Sequence, residues 1–131
     1  MWFKKENGQA MVEFALVLPL LIILICGIID FGWIFGNQLL LNSACKEATR
    51  VCSINADLSQ SELTTEAQNV VIDRANSLYN NGTVSVSVDK NTGTGEITVT
   101  VTCILPMLTP LMSTIHGPTL TITSSSVMRA E

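Results

Sequence analysis

The sequence predicts an α+β protein. A long N-terminal transmembrane helix continues into an extracytoplasmic domain, where a second helix packs on a small three-stranded antiparallel sheet. Three observations carry this. The run Ala10–Ile29 is 20 residues long and holds a single charge, Glu13, before Asp30 closes it. Beyond it, apolar residues recur at helical spacing as far as Leu78. From Val84 onward they alternate with serine and threonine, the period of a strand.

The 131 residues are 47% hydrophobic and 14% charged, with a formal net charge of −4. Their mean hydropathy of +0.42 excludes a disordered chain, which is poor in apolar residues and rich in charge. The acidic balance argues against nucleic acid as a partner, because no basic patch is available to displace counterions from phosphates. The excess apolar weight lies at one end. At about 1.5 Å per residue the run Ala10–Ile29 is long enough to cross the roughly 30 Å hydrocarbon core of a bilayer. A cleaved secretory signal is the alternative, but its apolar region is shorter and ends in small residues; here the run passes into IIDFGWIFG. Lys4 and Lys5 precede the span, so its N-terminus is expected in the cytoplasm and the rest of the chain outside, although Lys46 and Arg50 weaken that asymmetry.

Pro19 falls inside the span, and Trp33 and Phe35 follow it where an interfacial aromatic belt is expected. Leu41, Ala44, Cys45, Ala48, Val51 and Cys52 then share one helical side, with Lys46, Glu47 and Arg50 on the other. One helix from the membrane to about Ile54 is the simplest structure; the alternative is two helices broken near Gly32 or Gly36. A second helix begins at Ser59, which forms a capping box with Glu62. It carries Leu63, Ala67, Val70, Val71, Arg74 and Leu78 on one face and ends at Asn80–Gly82. Val84, Val86 and Val88 form one strand and Ile97, Val99, Val101 and Cys103 the next, joined by the turn DKNTGTGE. Leu120–Met128 repeats the alternation as a third strand. The apolar segment from Pro106 to Pro118 is expected to tuck under the sheet, with a partner-contact or membrane-facing patch as the other reading.

Glu13 is the residue the span does not explain. A carboxylate in an apolar run is costly and usually functional, unless its position one turn inside the bilayer edge lets it reach water or lipid headgroups. Its neighbours read Gly8, Gln9, Ala10, Met11, Val12, Glu13, Phe14, after a short lysine-containing leader. This resembles the processing site of type IV prepilin-like proteins, in the form Gly, four residues, Glu and an aromatic found in Flp/Tad prepilins and pseudopilins. With GQAMVEFALVLPLLIILICGIIDFG and the terminal TLTITSSSVMRAE, the chain resembles the TadE-like family. The resemblance implies a pilin-like fold and a minor pilin, or pseudopilin, that acts in assembly or priming of a Flp/Tad pilus used for surface adhesion. It implies three parts: a cleaved leader over 1–8, a transmembrane helix over 9–30 and an extracytoplasmic domain over 31–131. Gly8, Gln9, Glu13 and Phe14 form the processing site, and Glu13 doubles as an assembly contact that neutralises the new α-ammonium of Gln9, in its own chain or a neighbour's. The implied partners are a prepilin peptidase, other Tad/Flp pilins and pseudopilins, a pilus assembly platform and membrane lipid. The implied location is a bacterial cytoplasmic (inner) membrane, with incorporation into the pilus left open. An uncleaved, membrane-anchored binding module is the alternative function.

An outer compartment can be oxidising. Cys103 shares the parity of Ile97, Val99 and Val101 and so faces the first helix, which makes Cys52–Cys103 the expected disulfide and Cys45–Cys103 the second choice, with reduced buried cysteines the alternative. Cys26 is a small apolar filler in the span. No metal, cofactor or catalytic residue is expected, since His116 stands alone and no nucleophile–base or ligand spacing occurs.

Overall fold

The computed structural model describes residues 2–131, with side chains from Glu6 onward. The expected leader therefore begins at Met1, outside the described residues, and the side chains of Lys4 and Lys5 lie outside them too. The elements in order are α1 (Trp2–Ile54), α2 (Gln60–Arg74), α3 (Asn76–Asn81), β1 (Thr83–Asn91), β2 (Glu96–Pro106), α4 (Pro110–His116) and β3 (Thr119–Arg129). The α+β architecture read from the sequence is the one observed.

α1 is a single helix of 53 residues that runs through Pro19, Gly32 and Gly36 without a break. At the standard rise it is roughly 80 Å long. Its first half stands free of the rest of the fold. From Met11 to Ile25 most large apolar side chains are exposed, and the helix is long and apolar enough to cross a membrane with none of its apolar window buried in the protein. Its second half packs. Leu41, Ala44, Cys45, Ala48 and Cys52 are fully buried, and the small side chains of Ala44, Cys45 and Ala48 let the helix backbone lie close to the sheet. The polar residues on this face satisfy themselves along the helix: Thr49 Oγ1 donates to Cys45 O at 2.7 Å and Ser53 Oγ to Arg50 O at 2.8 Å.

The strands form an antiparallel meander in the order β1–β2–β3. Central strand β2 presents Ile97, Val99, Val101, Cys103 and Leu105 to the helices, all buried, so the apolar alternation runs one step past Cys103. Val88 and Ile122 extend the same face onto the flanking strands. The opposite face is a rack of hydroxyls, with Ser85, Thr102 and Thr123 in register, and Ser87, Thr100 and Ser125 beside them. In the β1–β2 turn, Asn91 Oδ1 accepts from Gly93 N at 3.0 Å, and Gly95 closes the turn at φ 70°, a conformation that glycine adopts without strain.

α2 starts as its sequence predicts. Ser59 N donates to Glu62 Oε2 at 2.9 Å, and Glu62 N donates to Ser59 Oγ at 3.4 Å. The hydrogen bonds from the Ser59 backbone and hydroxyl hold the Glu62 carboxyl below its usual range. The helical period predicted through Leu78 is interrupted at Ala75, whose ψ of 40° ends α2. α3 restarts at once, and the change of direction turns Leu78 fully into the core. Gly82, expected only as a helix stop, has a second reason: a Cβ built there would collide with Ile104 O. Its φ of −152° is ordinary extended backbone, so close approach to β2, not conformation, requires glycine.

Two expectations are corrected. The segment from Pro106 to Pro118 does not tuck under the sheet; it forms α4, none of whose residues is buried. Neither expected disulfide is present: Cys26, Cys45, Cys52 and Cys103 are all free. Cys52 Sγ lies 3.5 Å from Leu63 O near the start of α2. Its neighbour Ser53 accepts from Glu131 N at 3.2 Å, which places this end of α1 beside the end of β3, where Arg129 pairs with Glu96. Cys103 pairs with Ile122 toward the other end of β3. The seven residues from Glu96 to Cys103 span about 23 Å, whereas bridged Cα atoms lie within about 7 Å. Cys45, the second choice, instead directs Sγ to Val99 O at 3.2 Å and to Ser124 O at 3.5 Å. Parity placed Cys103 on the correct face, but parity carries no information about position along that face. Burial pushes the Cys45, Cys52 and Cys103 thiols up from their ordinary range, so they remain protonated donors at neutral pH.

Two outcomes follow from this packing. Gly82→Ala should lower stability by about 1–3 kcal/mol, read as a lower midpoint in chemical unfolding of the full chain in detergent. Alkylation of the denatured chain without reductant should add four adducts by intact mass, and a species carrying two would restore a disulfide.

Candidate functional site

The residues expected to form a processing site lie on the free half of α1. Gly8, Gln9, Glu13 and Phe14 are all exposed, and no other element of the fold covers them. Gln9 and Glu13 are four residues apart on one helical face: Gln9 Nε2 donates to Glu13 Oε1 at 3.3 Å. The backbone nitrogen of Gln9 sits one turn before Glu13, within the same helix. A Cβ at Gly8 would meet nothing within 4 Å, so nothing in the chain's own packing calls for glycine there. An exposed helical glycine costs about 1 kcal/mol relative to alanine. Overlapping the motif at Phe14, a shallow, mostly apolar groove along the helix surface is lined by Asn7, Ala10, Met11, Phe14, Ala15 and Leu18.

The structure thus leaves the motif residues together and open, and it keeps Cys45, Cys52 and Cys103 apart from them, in the core of the α+β domain, with Cys26 half-buried on the apolar half of α1. His116 is exposed at the end of α4. Among the described residues no group of three or more histidine, cysteine, aspartate or glutamate side chains is placed to hold a metal ion.

Sequence reasoning missed Asp30, which it took only as the charge that ends the apolar run. Asp30 is fully buried. Oδ1 accepts from Thr109 N at 3.2 Å, and Oδ2 accepts from the Thr109 hydroxyl. Thr109 is the N-cap residue of α4, and its own side chain makes no capping bond because the hydroxyl is committed to Asp30. The pair fixes the β2–β3 connection to α1 at the level where the apolar run stops. Its signal lay in the sequence only as a carboxylate directly after an apolar run and a threonine before a proline, which say nothing about each other until the chain folds. Trp33, three residues on, has a buried indole N–H without an acceptor.

No curated protein sequence and no solved structure shows significant similarity to the chain. Residues 8–50 match the family model described as TadE-like protein. The match opens on Gly8 and runs through the exposed apolar half of α1 into its packed half, and the family is one of pilus components, not of enzymes. Over residues 8–50, about a third of its length, the chain is therefore similar to the TadE-like family.

Proposed function

We propose that the chain is a TadE-like minor pilin: a prepilin peptidase cuts it between Gly8 and Gln9, and it then acts in assembly or priming of a Flp/Tad pilus for surface adhesion. The observation that carries this reading is an exposed glycine with no role in the fold, one residue before a glutamine whose side chain already reaches Glu13. A peptidase approaching the Gly8 carbonyl meets no side chain at that position and no packed element around it. Cutting there makes Gln9 the first residue and gives it an α-ammonium one helical turn before the Glu13 carboxylate. In a low-dielectric setting that carboxylate neutralises an ammonium of its own chain or of a neighbouring subunit. α1 anchors the chain in a bacterial cytoplasmic membrane, N-terminus inside, with the α+β domain on the outer face. Its partners are the peptidase, other Tad/Flp pilins and pseudopilins, and the assembly platform in the membrane. The apolar groove along Ala10–Leu18 is available for helix packing with those subunits.

N-terminal sequencing of the membrane-extracted chain tests the reading. A start at Gln9 supports it; a start at Met1 or Met11 sinks it in favour of an uncut anchor or another processing event. Gly8→Val should leave the chain at its full precursor mobility on gels when the peptidase is co-expressed, while the wild type shifts by the mass of eight residues. Glu13→Ala should insert and be cut normally yet be depleted from sheared pili or from complexes with the other pilins. Recovery of Glu13→Ala at the wild-type level would remove Glu13 from the assembly contact.

A further inference from the structure

The β2–β3 connection carries α4 back to α1 at one defined height. Asp30 is the first residue after the apolar run, and it is joined to Thr109 by two hydrogen bonds, so α4 begins level with the end of that run. The segment from Pro106 to Pro118 contains no Asp, Glu, Lys or Arg. It exposes Leu108 by 51% and Ile115 by 72%, and α4 buries none of its residues.

The hydroxyls of α4 are bonded within the helix. Ser113 Oγ and Thr114 Oγ1 both donate to Pro110 O, at 2.9 and 2.8 Å. Pro110 at the first helical turn has no N–H to leave unpaired, Ser113 N donates to Thr109 O, and Gly117 N closes the helix on Ser113 O. A short helix without Asp, Glu, Lys or Arg suits a lipid interface, where its apolar side chains meet acyl chains and its remaining polar groups stay within reach of water and headgroups. At the same height on α1, Phe31 and Phe35 are exposed and stacked, with ring centroids 5.9 Å apart, and continue the apolar surface of the helix past Asp30.

We infer that α4 is a membrane foot: Leu108 and Ile115 sit in the outer interface of the same bilayer that α1 crosses, and the Asp30–Thr109 pair sets the depth at which the α+β domain rests. The occupant of this apolar surface is lipid, because the surface is continuous with the end of the span and is held there by a buried hydrogen-bonded pair. The inference rests on the reading that α1 spans a bilayer, and it assigns the β2–β3 connection a role that processing and pilus assembly do not.

The full chain with methyl-labelled isoleucine, in nanodiscs of phosphatidylethanolamine and phosphatidylglycerol, tests it without any substitution. A lipid-borne nitroxide should remove most of the NMR intensity of Ile28 in the span and of Ile115 in α4. A water-soluble gadolinium chelate should instead remove that of Ile54 and Ile72, which are exposed on the α+β domain far from Asp30. Loss of the Ile115 signal to gadolinium, with Ile28 still responding to the lipid label, would overturn the membrane foot and leave the span intact. Protection of Ile115 from both agents would mean that protein covers it, and would also overturn the lipid assignment. Loss of Ile28 to gadolinium would remove the span and the foot together.

Discussion

The fold depends on how closely the second half of α1 approaches β2. Ala44, Cys45 and Ala48 are small enough for the helix backbone to lie against the sheet, with Leu41 and Cys52 at either end of the contact. Cys45 measures how close the approach is, since its thiol donates to a strand carbonyl, Val99 O, at 3.2 Å. A longer side chain at that point would hold the two layers apart. The three-stranded sheet is apolar on one face, and that face must be buried against another element. α1 supplies that cover, and α2 adds a second layer through Leu63, Ala67 and Val71. Everything that depends on sheet order, including the position of the β2–β3 connection, follows from that contact.

A single helix therefore works in two surroundings. From Ala10 to Ile25 its residues are exposed all round, and from Leu41 to Ser53 one face is dry and packed. The change falls between Asp30 and Asn37, where Asp30, buried, binds Thr109 and Asn37 Nδ2 donates to Trp33 O at 2.7 Å. Continuity of the helix through this zone transmits the orientation of the first half to the second. A break at Gly32 or Gly36 would have left the α+β domain free to swing.

What the sequence discloses here is what depends on local period and local capping. The Ser59–Glu62 box, the valine alternation of β1 and the small-residue face of α1 are each decided within a few residues, and each is found where the pattern puts it. The features it conceals depend on which distant residues meet. Asp30 and Thr109 are 79 positions apart, and no local rule pairs them. α4 has too short a run to show a period, and its flanking prolines read as a loop. The Cys52–Cys103 pairing failed for the same reason, because alternation fixes the face of a strand and leaves the position along it undetermined. Ala75 stands between these cases: the apolar period correctly placed Leu78 in the core, but the chain reaches it by bending.

The glycines of α1 complete the physical picture. Gly8, Gly27, Gly32 and Gly36 all lie inside the helix, and a Cβ at any of them would find nothing within 4 Å. Each costs helix stability relative to alanine, by about 1 kcal/mol in an exposed setting, and none relieves a contact inside the chain. Gly82 is the contrast, since the backbone of β2 leaves it no room. A residue that the fold requires is thus distinguishable from one that the fold merely tolerates. The four glycines of α1 belong to the second kind: the chain's own packing does not call for them. The half of α1 that contributes least to the chain's own packing is the half with most surface to offer to other molecules, and it is also where the family match begins.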